Sequence, residues 1–189
     1  MRTGPTATPV LTLLLAAATA GQALACGPRA EVLFTEGAPD SFEIVNRSPP
    51  GWEIESLQID LRGAAGGLYF DPTAGGAGAS MPDPLRPLGS LDGGSPDGGT
   101  VRLVGASPVA DGDTALLLAF EGFAAGARYV LTIDLDNLGG GYSDAVIEPG
   151  EFAGATLFAR FTAGPHLAEG EGLFDGAGRA ETLDNSACS

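Results

Sequence analysis

The stretch Trp52-Glu-Ile-Glu-Ser-Leu-Gln-Ile-Asp-Leu-Arg62 carries the clearest structural signal in this sequence. From Leu57 to Leu61 every second residue is apolar, which is the pattern of a β-strand with one buried face. Trp52 and Ile54 have the opposite parity. We therefore expect a β-bulge near Glu55 that returns both apolar sets to the same face.

Similar short apolar runs, separated by turn residues, lie on both sides of this stretch. They cover residues 31–35, 41–45, 68–70, 100–104, 114–120, 128–136 and 155–162. Helical periodicity with capping residues occurs nowhere after residue 25. The pattern predicts an all-β fold, namely a two-sheet antiparallel β-sandwich of immunoglobulin-like type.

The sequence predicts one domain after the N-terminal segment. Residues 26–163 are expected to form the sandwich, with a long Gly- and Pro-rich loop at 71–99 that holds a short extended piece around Leu85 to Leu88. Loops of this length are often functional. Residues 164–189 are weakly patterned, so we expect an irregular C-terminal tail.

Residues 1–25 have the three parts of a secretory signal peptide. Arg2 supplies a positive charge, the stretch from Val10 to Ala18 is apolar, and Ala23 and Ala25 are small residues before a cleavage site. The apolar stretch is shorter than the ~20 residues that span a bilayer. We therefore expect cleavage and export to the periplasm or the extracellular space.

The sequence contains two cysteines, Cys26 and Cys188. In an oxidising compartment two cysteines usually pair, so we expect a disulfide bond between them. The alternative is a lipid anchor on Cys26, which would be the first residue after cleavage. The order of Ala23 and Leu24 before the cleavage site favours the disulfide.

The chain is strongly acidic. After residue 25 it has 24 acidic residues and eight arginines, a formal charge of −16, and lysine is absent throughout. Clustered positive charge is what nucleic acids and anionic membrane surfaces require, so the composition excludes these partners. It favours cations.

Catalytic constellations are not evident. The chain has one histidine, His166, which lies in the expected tail, and this disfavours Ser-His-Asp, Cys-His and zinc arrangements. The many acidic residues form pairs by chance, so a pair of carboxylates carries little weight. We expect a protein that is not an enzyme.

One acidic segment is a candidate calcium site. Alternation places Asp134 and Asp136 on the same outward face at the end of the predicted strand 128–136, and Asn137, a Gly-rich turn and Asp144 follow. Hard oxygen ligands from a strand end and the next loop suit Ca²⁺. The predicted metal ligands are Asp134, Asp136, Asn137 and Asp144.

A second, weaker calcium candidate is the segment Asp111-Gly-Asp113. For both segments the alternative is a set of solvated turn residues, because Asp, Asn and Gly favour turns for reasons of backbone geometry alone.

The order of several segments resembles the small exported bacterial proteins labelled aggregation factor core, a name taken from sponge cell-adhesion proteoglycans. The resemblance spans roughly residues 31–162. It rests on Phe34-Thr-Glu-Gly-Ala-Pro39, Phe42-Glu-Ile-Val-Asn46, Leu57-Gln-Ile-Asp-Leu-Arg-Gly63, Gly67-Leu-Tyr-Phe-Asp71, Gly75-Gly-Ala-Gly78, Val109-Ala-Asp-Gly-Asp-Thr114, Leu131-Thr-Ile-Asp-Leu-Asp136 and Glu151-Phe-Ala-Gly-Ala-Thr156.

The resemblance implies an extracellular β-domain that acts in adhesion or aggregation, with calcium dependence attached to Asp134 and Asp136. It implies no catalytic residues. We therefore expect a non-enzymatic protein of cell-surface or matrix interaction whose partner is a cell-surface glycan or protein. The alternative is a periplasmic or secreted protein with a structural or small-ligand role and no part in adhesion.

Overall fold

The computed structural model describes residues 27–74, 82–90, 100–139 and 146–183. The predicted signal peptide, Cys26, Cys188 and Asp144 lie outside these ranges, so the cleavage and the disulfide stay predictions. Within the described ranges there is no helix long and apolar enough to cross a membrane.

The described residues form twelve β-strands and two short 3₁₀ helices. The strands are β1 (Ala30–Thr35), β2 (Ser41–Asn46), β3 (Glu53–Asp60), β4 (Leu68–Phe70), β5 (Arg86–Ser90), β6 (Arg102–Ala106), β7 (Ala115–Glu121), β8 (Arg128–Thr132), β9 (Leu135–Asn137), β10 (Thr156–Ala163), β11 (His166–Leu173) and β12 (Arg179–Glu181). The 3₁₀ helices cover Leu61–Gly63 and Pro149–Phe152.

The strands form two antiparallel sheets of five strands each and one ribbon of two. The first sheet has the order β12-β1-β2-β8-β5, the second has the order β11-β10-β3-β7-β6, and the ribbon pairs β4 with β9. This confirms the predicted all-β, two-sheet antiparallel architecture. The strand number exceeds the seven to nine of immunoglobulin domains.

The expected bulge in β3 is present at Glu55. Ser56 pairs with Arg160 and Ile54 pairs with Phe161, so Glu55 has no partner in this ladder. Because the bulge resets the alternation, Ile54 and Leu57 both face the core and are buried.

An aromatic cluster fills one part of the core. Phe152, carried by the second 3₁₀ helix, is fully buried and lies against Phe34 of β1 with ring centroids 4.3 Å apart and against Phe174 at 5.3 Å. Tilted ring pairs at such distances contribute beyond the burial of their area. Through Phe152, the helix packs the loop before β10 against β1 of the first sheet.

The predicted strand 128–136 is two strands rather than one. β8 pairs with β2 and β5 in the first sheet, whereas β9 pairs with β4. The chain changes partners at Ile133 and Asp134, where the backbone N–H of Ile133 donates to the carbonyl of Asp40 (3.2 Å). The carboxylate of Asp40 then accepts from the N–H of Leu135 (3.2 Å). The buried Asp40 thus accepts hydrogen bonds from the backbone N–H groups of Ile133 and Leu135, where the chain passes from the first sheet to the ribbon.

The segment expected to be an irregular tail contains two strands, so this expectation is wrong for residues 164–183. β11 forms a hairpin with β10, and β12 pairs with β1. The inward positions of β11 include Gly170 and Gly172, and a Cβ on Gly172 would overlap the carbonyl oxygen of Glu181. Since close packing requires glycine there, β11 lacks the apolar alternation by which strands are recognised.

The expected 71–99 loop contains β5, which pairs with β8 at the edge of the first sheet. Its position overlaps the extended piece expected around Leu85 to Leu88. Residues 75–81 and 91–99 lie outside the described part of the chain.

Candidate metal centre

Three aspartates converge where the β4–β9 ribbon meets the end of β8. Tyr69 of β4 stands opposite Asp136 of β9, and the backbone N–H of Asp71 donates to the carbonyl of Asp134 (3.0 Å). As a result Asp71, Asp134 and Asp136 each offer a carboxylate oxygen, and these three oxygens lie within 4.8 Å of one another. Two oxygens bound at ~2.4 Å to one cation are at most about 4.8 Å apart, so the spacing fits one shared ion.

The cluster is largely withdrawn from water. Asp71 is 1% exposed, Asp136 is 2% exposed and Asp134 is partly buried. Carboxylates that lose their water and face one another are unstable in the charged form unless a cation compensates them.

The electrostatic cost appears in the pKa of Asp71, which is raised to about 7. The largest cause is burial, followed by a hydrogen bond with the carboxyl group of Asp136 and by the negative charges of Asp111, Asp136 and Asp134. A hydrogen bond between two carboxyl groups requires a proton, which Asp71 and Asp136 share as a pair. A bound cation would take the place of that proton.

The pKa of Asp134 is also raised to about 7. Burial is the largest cause, and the negative charges of Asp40, Asp136 and Asp83 add to it. The backbone N–H of Leu135 opposes the rise. Asp134 therefore lies in a field of negative charge supplied by three other aspartates.

Two carboxylate oxygens, one inside the cluster and one outside it, are buried without a hydrogen-bond partner. One is Oδ1 of Asp71, and the other is Oδ2 of Asp83, whose Oδ1 pairs with Arg86 at 2.7 Å. Leaving a buried acceptor unsatisfied costs about 1–3 kcal/mol, and more when it is charged. A hard cation bound to Oδ1 of Asp71 would remove this cost for Asp71.

Asp40 supports the cluster without belonging to it. Its two oxygens accept from the backbone N–H groups of Gly37 (3.1 Å) and Leu135 (3.2 Å). Burial raises the pKa of Asp40 to about 7, although these two hydrogen bonds lower it. Its role is to hold the backbone between Asp134 and Asp136 in place.

The structure brings two of the four predicted metal ligands together. Asp134 and Asp136 both belong to the cluster. The prediction that Asp136 points outward is wrong: its side chain is buried, because β9, the strand that carries it, pairs with β4. Asn137 is engaged elsewhere: its Nδ2 donates to Glu151 (2.9 Å) and its Oδ1 accepts from Gly139 (3.1 Å). Asp144 lies outside the described residues.

Sequence reasoning missed Asp71 as a candidate ligand. The residue follows the short run Leu68–Phe70, which was recognised as a strand, but a single acid after a strand is a common turn feature. The signal that would have found Asp71 is the pairing of β4 with β9. Alternation within one strand cannot predict which strand lies beside it.

The second calcium candidate consists of turn residues in this structure. Asp111 accepts from the backbone N–H and the hydroxyl of Thr73 (3.0 and 2.8 Å), and Asp113 accepts from the N–H of Ala110 (2.8 Å). These bonds shape the two loops beside the cluster. They match the alternative expected for this segment.

Comparison of the chain with protein-family models, with curated proteins and with solved structures found no match. The resemblance to the aggregation factor core proteins therefore stays a prediction.

Proposed function

We propose that this protein is a non-enzymatic, exported β-sandwich that binds Ca²⁺ through Asp71, Asp134 and Asp136 and acts in cell-surface or matrix interaction. The observation that carries the proposal is the buried Oδ1 of Asp71, which has no hydrogen-bond partner and belongs to a group of three converging carboxylates.

The donor set favours calcium among the common metals. The three candidate ligands are carboxylates, and sites built from oxygen donors suit hard cations, whereas zinc and copper favour nitrogen or sulfur. Mg²⁺ demands a tighter octahedral geometry than three ligands from a strand junction provide. Ca²⁺ tolerates irregular geometry, and extracellular calcium modules bind at ~10⁻⁴–10⁻³ M.

The role in surface interaction rests on the sequence. A predicted signal peptide directs the chain out of the cell, its charge disfavours nucleic acid and anionic membranes, and the segments that resemble aggregation factor core proteins include Asp71, Asp134 and Asp136. A structural cation at the junction of the ribbon and the first sheet would order the loops there for contact with a partner.

Thermal unfolding tests the cation. With a Kd of ~10⁻⁴–10⁻³ M, about 10 mM Ca²⁺ stabilises the folded state by about 1.4–2.7 kcal/mol. This corresponds to a rise in Tm of about 3–10 °C for a domain of this size. We expect Mg²⁺ to give a much smaller rise.

Two variants locate the effect. Asp71→Asn should abolish the calcium-dependent rise in Tm and leave the metal-free protein equally or more stable, because the amide cannot add a negative charge to the cluster. Glu171→Gln is the matched control, since it removes one charge from an exposed position on β11 and should keep the full rise. A wild-type Tm that does not respond to calcium would contradict the proposed site.

Adhesion needs a separate assay. Beads that carry the mature protein should clump, or bind cells of the source strain, in calcium and disperse in EDTA. Beads that carry Asp71→Asn should stay dispersed in both. Calcium binding without clumping or cell binding would reject the adhesion role and favour a structural or small-ligand role.

A further inference from the structure

A pocket of about 460 Å³ opens beside the metal centre, at the end of the sandwich where β3 ends and β7 begins. Its volume lies in the range of small-molecule sites, ~300–1,000 Å³. The wall combines apolar side chains, polar side chains and exposed backbone. The lining residues are Leu61, Arg62, Gly67, Leu68, Tyr69, Gly112, Thr114, Asn137 and Leu138.

The pocket and the metal centre share the β4–β9 ribbon. Tyr69 lines the pocket and stands opposite Asp136, and its pKa is raised by burial and by the negative charges of Asp136 and Asp71. Gly112 lines the other side, and its N–H donates to the carbonyl of Phe70 (3.0 Å). Tyr69 therefore belongs both to the pocket wall and to the surroundings of the carboxylate cluster.

The charged group of the pocket wall is already compensated. The Nε of Arg62 donates to both carboxylate oxygens of Asp60 (2.9 and 3.0 Å), and a second guanidinium nitrogen also donates to this carboxylate. The side chain of Arg62 is still 75% exposed. The guanidinium thus still presents N–H donors to solvent, while the Arg62–Asp60 ion pair as a whole carries no net charge to attract an anion.

The remaining wall suits a molecule with both apolar and hydroxyl surfaces. Leu61 and Leu68 are buried at its base, and Leu138 is 82% exposed at its rim. Thr114 adds a hydroxyl group that can donate or accept. A free anion would be repelled by the neighbouring aspartates, and a wholly apolar molecule would leave the polar wall without partners.

We propose that this pocket binds a neutral mono- or disaccharide unit of a surface glycan. A C–H face of the sugar packs on the exposed Leu138, while its hydroxyl groups bond to Arg62 and Thr114. The inference rests on the proposed surface-interaction function and names its ligand class. It does not require that the cation be bound.

NMR titration of the mature protein tests the pocket. The probes are D-galactose, D-mannose, N-acetyl-D-glucosamine and lactose, each at up to ~50 mM, well above the Kd of a millimolar ligand. At least one neutral sugar should shift the amide signals of Gly67, Gly112 and Leu138. D-Glucuronate, an anion of similar size, should shift them less.

Two exposed leucines provide a matched pair of variants. Leu138→Asp places a charge on the pocket rim and should weaken the sugar affinity by on the order of tenfold or more, because the charge opposes burial of the apolar sugar face. Leu167→Asp makes the same change on β11, where Leu167 is exposed and does not line the pocket, and should leave the affinity unchanged.

Each result decides the proposal. Equal loss of affinity in both variants, larger shifts with D-glucuronate, or no pocket shifts with any neutral sugar would overturn it. Running the titration with and without Ca²⁺ separates it from the proposed function. If the protein binds a sugar but its Tm does not respond to calcium, the sugar pocket is supported and the calcium site is rejected. If it binds calcium but no sugar shifts the amide signals, the calcium site is supported and the sugar pocket is rejected.

Discussion

Metal-free protein should lose stability as the pH rises from about 4.5 to about 8, the opposite of the usual acid denaturation. The pKa values of Asp40, Asp71 and Asp134 are each raised from 3.8 to about 7 in the folded protein. Between these pH values the unfolded chain has lost the three protons while the folded protein retains them. Since the folded state binds more protons, its stability is greatest near the lower pH and falls through about pH 7.

The size of the loss follows from the pKa shifts. A rise of about three units corresponds to ~4 kcal/mol for one carboxyl group taken alone, at 1.36 kcal/mol per unit. The three contributions do not add, because Asp134 is raised partly by Asp40 and Asp71 partly by Asp134, and because Asp134 keeps some contact with water. We expect a total loss of about 4 kcal/mol, a large part of the 5–15 kcal/mol that is typical of a folded domain.

Urea unfolding in EDTA measures this change, with the fluorescence of Trp52 as the probe. The window avoids the titration of Asp60, whose pKa is lowered below 3.8 mainly by its hydrogen bonds with Arg62. The variant Asp71→Asn with Asp134→Asn should reduce the pH dependence to the part that comes from Asp40, and saturating Ca²⁺ should restore stability of the wild type near pH 8. A free energy of unfolding that stays constant or increases with pH across this window would refute the reasoning.

Three further predictions concern the aromatic cluster, the contact between β11 and β12, and the two cysteines. Phe152→Ala should cost about 3–5 kcal/mol in urea unfolding, because it empties a fully buried ring position in the aromatic cluster. Gly172→Ala should destabilise the protein strongly and lower its Tm, since the added methyl group overlaps the carbonyl oxygen of Glu181, whereas Ala at the open position Gly176 should have little effect. Exported protein should begin at Cys26 and contain no free thiol, as measured by intact mass with and without reduction; a lipid-sized mass increment or two free thiols would contradict the bond with Cys188.

Strand pairing at the chain ends is compatible with that disulfide. β1 and β12, the described strands nearest to the two cysteines in sequence, are neighbours in the first sheet. The backbone N–H of Thr182 donates to the carbonyl of Ala30 (2.8 Å). The bond itself falls outside the described residues.

For β3, the amino-acid sequence by itself determined which face of the strand is buried. Alternation in the β3 region predicted both the inward set and the bulge at Glu55. In β8 it does not mark a single buried face, since Val130 and Thr132 are buried as well as Tyr129 and Leu131. The predictions for β3 succeed because the side-chain direction in a strand depends on neighbouring residues alone. The local pattern of apolar residues is therefore enough to predict a buried apolar face.

Only the tertiary structure decided where the chain changes partners. The run from Arg128 to Asp136 has one uninterrupted alternation, yet it divides at Asp134 because Asp40 and β4 supply backbone partners there. That division buries Asp136 and adds Asp71 to the cluster. Likewise, β11 has glycines at inward positions because the chain at β12 approaches it closely, so the local pattern does not mark it as a strand. Both features arise from contacts between segments far apart in the chain, so no local pattern contains them.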